Sequence, residues 1–166
     1  LARFSEGFLI LRGIDVGLSM AFSPLVLVVF NLAFFAFAYP AGALSDRVSP
    51  KAILGAGMAL LVVADLVLAA DIGIAGLTVG VALWGLHMAL TQGLFARLIA
   101  DSAPDDLRAT SFGAFHFATG VATLLASLGA GLLWDRSGAA ATFTAGAVAA
   151  AVALAMLTLL PGGKRA

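Results

Sequence analysis

The chain has 166 residues, 62% of them hydrophobic and 11% charged, with nine basic and nine acidic side chains that cancel. A soluble domain carries about 45 to 50% apolar and about 25% charged residues, so this composition excludes a soluble fold. Balanced charge without a basic stripe or acidic block excludes a nucleic-acid partner, and the absence of cysteine excludes disulfides and thiolate metal sites.

Charge-free runs cover residues 16–45, 72–96, 109–134 and 137–163, each bounded by Asp, Arg or Lys. A helix needs about 20 mainly apolar residues to cross the hydrocarbon core. The fold class is therefore all-α, a polytopic transmembrane helical bundle. In chain order the turns predict helices from Leu1 to about Leu11, Pro24 to Leu44, Ala52 to Ala70, Gly73 to Ala96, Ala109 to Leu133, and Ala139 to Leu160. At about 1.5 Å per residue the first covers only about half of a 30 Å core. The pattern thus predicts five complete spans and one partial span.

Arg47, Lys51, Arg97, Arg108, Lys164 and Arg165 fall at one set of helix ends, and only Arg12 and Arg136 lie in turns at the other. The excess of Lys and Arg puts the 46–51 loop, the 101–108 loop and the tail 161–166 in the cytoplasm. The lipid bilayer is the first partner, and the expected location is a cell membrane, read as a bacterial inner membrane.

Polar groups inside such spans are costly and mark function or pairing. Arg3 and Glu6 are three apart on the expected first helix and can form an ion pair. With Arg12 at the membrane exit they lie about 14 Å and about 9 Å inside, where a charge costs about 2.5 to 3.5 kcal/mol. Asp65 interrupts the third helix about two turns before its outer end. It needs a partner from a neighbouring helix or a proton of its own, and a structural bond competes there with proton coupling.

The fourth helix aligns Gly80, Trp84, His87 and Thr91 with Gln92 beside them, and the fifth aligns Gly113, His116, Gly120, Thr123 and Ser127. For Gly, Ser and Thr the simpler reading is close helix packing. For the two histidines a cavity-lining role stands on equal terms with it. The sixth helix, rich in Ala and Leu, reads as a lipid-facing support.

No Gly-rich loop ends in Gly-Lys-Ser/Thr and no His-Glu-x-x-His occurs, so neither an enzyme nor a cofactor or metal is expected. His87 and His116, on separate helices without a third ligand, leave an intramembrane metalloenzyme as a weak alternative.

The loop Gly42-Ala43-Leu44-Ser45-Asp46-Arg47-Val48-Ser49-Pro50-Lys51, following Tyr39-Pro40-Ala41, resembles the G-x-L-x-D-R-x-G-R-K signature of the major facilitator superfamily. Ser49 and Pro50 stand where that signature has its second Gly and first basic residue. The segments 103–113 and 129–138 resemble the family's connection between the tenth and eleventh helices and the end of its eleventh. The resemblance covers essentially all of 1–166. It implies the C-terminal six-helix half of a twelve-helix transporter, beginning within helix seven and partnered by an N-terminal half. An assignment to the N-terminal half, which carries a related loop, stays open.

The resemblance implies secondary transport of a small-molecule substrate by alternating access. Arg3, Glu6, Asn31, His87, Gln92 and His116 are its pathway candidates, and Gly42, Asp46, Arg47 and Lys51 form its gating loop. Asp65 departs from the pattern, because it falls on a helix that in the family only supports. Proton coupling through Glu6 and the histidines is one expectation. The rival is a membrane-embedded scaffold or an inactive transporter remnant.

Overall fold

The computed structural model describes residues 3–159. It is helical throughout, with α1 at Gly7–Asp15, α2 at Leu25–Ser45, α3 at Pro50–Ala69, α4 at Gly73–Ser102 and α5 at Arg108–Leu159. A single 3-10 turn, Asp105–Leu107, precedes α5. The tail 161–166, with Lys164 and Arg165, lies outside the described residues, as does the expected helix start at Leu1.

Among the described residues four helices, α2 to α5, are long and apolar enough to cross a membrane. Five separate complete spans were expected. The difference arises at Gly138, through which the last two helices run on as one element although its backbone is far from helical at φ 78° and ψ −178°. That conformation is open essentially only to glycine, and it folds α5 back on itself. Residues 127 and 146 would be about 28 Å apart in a straight helix, yet both approach the same short segment. Ser127 Oγ accepts a hydrogen bond from the Ser5 amide at 3.0 Å, and a methyl group at Gly146 would sit 2.9 Å from the Phe4 ring. The two arms, 108–137 and 139–159, correspond to the fifth and sixth predicted helices.

Helix α1 differs more. The Ser5 hydroxyl accepts the Gly7 amide at 3.2 Å, a local side-chain turn that competes with helix, so the helix begins only at Gly7. Arg3 and Glu6 accordingly precede it rather than share one of its faces. At the other end α1 runs on to Asp15, past the expected stop at Leu11.

The remaining boundaries follow local chemistry. Ser49 caps α3, its side chain accepting the Ala52 amide at 3.3 Å, with Pro50 in the first turn. This is the preferred way to start a helix, so the two residues that depart from the family signature form a cap. Helix α4 continues six residues beyond the expected Ala96 and stops at Ser102, where Ala103 is extended at ψ 134° before Pro104. Proline disfavours the helical conformation in the residue before it.

Helix α4 is the centre of the bundle, packed by α3 on one side and α2 on the other. Glycine sets both distances. A methyl group at Gly85 would stand 2.5 Å from the Phe30 carbonyl oxygen of α2, and one at Gly80 would stand 2.6 Å from Leu68 of α3. On the opposite side of that seam Gly57 of α3 admits Thr91. Without a hydrophobic drive between helices in lipid, such close approaches supply the association through dispersion contact. Leu61, Leu68, Val81, Trp84 and Phe143 are fully buried in the resulting core.

Candidate functional site

A cavity of about 650 Å³ opens between α2, α4 and the first arm of α5, with Arg3 and α3 also contributing. Its size falls within the range of about 300 to 1,000 Å³ common for small-molecule sites. Phe34 comes from α2, His87 and Gln92 from α4, His116 and Thr123 from the first arm of α5. That arm supplies an entire wall because it packs so little. Between residues 108 and 137 only Ala130 is buried, and nothing approaches Gly113 or Gly120 within 4 Å of an added methyl group.

Four of the six pathway candidates, Arg3, His87, Gln92 and His116, thus meet at one cavity. Glu6 and Asn31 are not among its lining residues. Glu6 reaches Arg3, Oε1 to Nη1 at 3.7 Å, and the exposed Asn31 amide donates to the Leu27 carbonyl of its own helix at 2.7 Å. Arg3 Nη1 also points at Met88 Sδ. His87 serves two purposes. Its Nδ1 donates to the Gly57 carbonyl at 2.7 Å, pinning α4 to α3, while its ring borders the cavity. The rest of its stripe, Gly80, Trp84 and Thr91, is buried in the packing seam.

Aromatic rings form a continuous run along one side. Phe95 and Phe115 lie 5.8 Å apart, Phe115 and His116 5.5 Å, and Phe112 and His116 6.4 Å, nearly parallel. Phe34 joins the lining, whereas Phe35 turns outward.

Asp65 is elsewhere. It is wholly buried on α3, and its Oδ1 accepts from the Trp84 indole N–H of α4 at 2.8 Å. Its Oδ2 has no hydrogen-bond partner among the described residues. A methyl group on Gly146 in the second arm of α5 would stand 2.6 Å from that oxygen. The expected partner from a neighbouring helix is present for one oxygen only, and Asp65 does not line the cavity.

At one end of the bundle Asp46 pairs with Arg97 of α4 at 2.9 Å, and Arg97 also holds the Ser45 carbonyl at 3.0 Å and Asp101 at 3.5 Å. Lys51 Nζ donates to the Thr158 carbonyl at 3.2 Å. The ends of α2, α3, α4 and the second arm of α5 therefore gather at the same end. Gly42 contributes its carbonyl, which accepts the Ser45 hydroxyl at 2.7 Å. Arg47 makes no ion pair among the described residues.

The sequence gives little warning of Arg97 as the partner of Asp46, fifty-one positions away, or of Arg12 at the opposite end. Arg12 is buried, its Nε donating to the Leu68 carbonyl at 2.9 Å and its Nη2 to the Ala70 carbonyl at 3.2 Å, with Asp15 beside Nη1. It ties α1 to the C-terminal end of α3, whose last carbonyls have no partner within the helix. The usable signal was a single basic residue in the last turn of a helix.

Comparison with known proteins adds an identity to this geometry. An uncharacterized MFS-type transporter of Methanocaldococcus jannaschii is 31% identical, over 96% of this chain and 42% of its own length. The chain thus spans less than half of that relative. No solved structure matches the chain significantly. The family model of the Major Facilitator Superfamily matches residues 7–165. With membrane-spanning helices joined by the 42–51 loop and a match over nearly its whole length, the chain belongs to the Major Facilitator Superfamily.

Proposed function

We propose that this chain is the C-terminal helical half of a secondary transporter, and that its 650 Å³ cavity is its half of the path taken by a small solute. The observation that carries the reading is the convergence of Arg3, His87, Gln92 and His116 on one cavity whose far wall, the first arm of α5, is barely held by the rest of the chain. In alternating access one bundle rocks against another around a site near the midplane. One bundle then offers at most half of that site, and here the cavity is correspondingly open. The relative from Methanocaldococcus jannaschii, more than twice as long as the stretch aligned, supports a second half of similar size.

In this reading the Asp46–Arg97 contact is a latch between α2 and α4, made at a cytoplasmic face of a cell membrane, a bacterial inner membrane by the expectation above. Exposed pairs of this kind contribute about 0.2 to 1 kcal/mol. That is weak enough to be exchanged for a partner on the second bundle in each cycle. His87, His116 and Glu6 are the groups through which a proton would couple to transport.

The test is reconstitution. The 166-residue chain alone in liposomes should show no gradient-driven uptake of small solutes, and co-expression with an N-terminal half should restore it. Saturable uptake by the chain alone, with crosslinking showing a monomer, would overturn the half-transporter reading. In the assembled transporter uptake should change between pH 5 and pH 8, where an ordinary histidine changes charge. A flat profile would discard the coupling.

A further inference from the structure

We infer that the cavity selects a small organic monoanion with a flat apolar body, an inference that rests on the transporter reading above. The sign of the charge comes from Arg3, the permanently charged group on the lining, since no Asp or Glu borders the cavity among the described residues. Arg3 is incompletely matched where it stands. Its pairing with Glu6 is loose at 3.7 Å, with both side chains about one-third exposed, and its Nε and Nη2 have no acceptor among the described residues. A guanidinium inside a membrane protein needs an anion or carbonyls around it. Its planar fork fits a carboxylate, sulfonate or phosphate monoester by two parallel N–H···O bonds.

The shape of the solute comes from the rings. The run Phe95, Phe115, His116 and Phe112 presents faces and edges at separations of 5.5 to 6.4 Å, a surface on which a flat ring stacks offset or edge-on. Thr123 and Gln92 add hydrogen-bonding groups without charge. The aromatic wall alone would accept an organic cation as readily, since ring faces attract positive charge. Arg3 decides between them. Removing its charge should therefore relax the selection of sign and leave the preference for a flat ring in place.

The chain contains no cysteine, so Thr123→Cys places a single thiol on the cavity wall. The full 166-residue chain in lipid nanodiscs would be alkylated with N-ethylmaleimide in the presence of benzenesulfonate or of trimethylphenylammonium, two probes of like size and permanent, opposite charge. Benzenesulfonate should slow alkylation by about tenfold at ten times its Kd, following simple occupancy, and trimethylphenylammonium should not slow it. In Arg3→Gln the two probes should protect equally and weakly, and Arg3→Lys, which keeps the charge but loses the fork, should retain part of the preference. Both variants must alkylate at the parental rate without probe, which shows an intact cavity. If the cation protects the parent as well as the anion does, the anion selection is wrong and the cavity remains a solute site. Undiminished anion protection in Arg3→Gln also overturns the inference. Protection by neither probe overturns the selection, while the transporter reading itself stands or falls with the reconstitution described above.

Discussion

Asp65 shows what one buried carboxyl demands. Its Oδ1 has the Trp84 indole and its Oδ2 has nothing among the described residues. An unpaired buried polar atom costs about 1 to 3 kcal/mol, so the pair is a fixed point of the α3–α4 seam. Asp65→Asn keeps an acceptor for Trp84 and should change stability by less than Trp84→Phe, which strands the whole carboxyl group. The second substitution should cost about 1 to 3 kcal/mol more than the first in reversible unfolding from mixed micelles. Equal losses would show that the indole bond contributes nothing. That Asp65 needs a partner or a proton of its own was legible in the sequence, because a charged carboxyl among Leu and Val is costly. The identity of the partner was not. Trp84 shares a stripe with His87 and Thr91, and periodicity fixes which residues share a face without fixing whether that face meets a cavity or a neighbour. Gly57 and Gly80, by bringing α3 close, made it the neighbour.

At the scale of elements, the junction between α2 and α4 is where the proposed latch is tested. If the Asp46–Arg97 latch holds one state of the transport cycle, Asp46→Asn should leave expression and folding within about 1 kcal/mol of the parent, since both side chains are largely exposed. It should shift the ratio of inward-open to outward-open forms, read from the alkylation rate of Thr123→Cys in each variant. A variant that unfolds would make the loop structural instead. Sequence patterning served well at Ser45, at Pro50 and at the start of α5, but it ended α4 at Ala96, six residues short of the stop before Pro104. It failed at both ends of α1. The Ser5 turn delays the start, and the tethering of Arg12 to the Leu68 and Ala70 carbonyls depends on an element more than fifty residues away. It also divided α5 correctly at Gly138, but it read the second arm as a lipid-facing support although that arm is the more buried of the two. The uncharged second arm buries Phe143, Gly146, Ala147 and Ala150, whereas the first buries only Ala130.

For the whole molecule, the pairing of Asp46 with Arg97 and of Lys51 with the Thr158 carbonyl collects the basic helix ends on one side, and the excess of Lys and Arg there predicts that this side faces the cytoplasm. In intact cells Ser49→Cys should resist an impermeant maleimide and Met20→Cys, exposed at the opposite end, should react. The reverse pattern would invert the orientation. The all-helical membrane fold was legible from composition and run length alone, because lipid leaves the backbone few choices. Which helix stands at the centre was not legible, for that depends on what Gly80 and Gly85 of α4 and Gly57 of α3 meet on their neighbours.

The reversal at Gly138 has a consequence for what can grip the chain on that side of the bundle. Among the described residues, chain on that side is limited to the connection 16–24, the three residues 70–72 and a turn made by one glycine. An antibody or a protease approaching from there finds almost no loop to grip. Trypsin needs a flexible stretch of several residues around a Lys or Arg, and 16–24 contains neither. On that side the described residues thus offer trypsin little beyond the exposed Arg136 within its helix, and an affinity tag meant for that side is best inserted within 16–24, where there is slack to receive it.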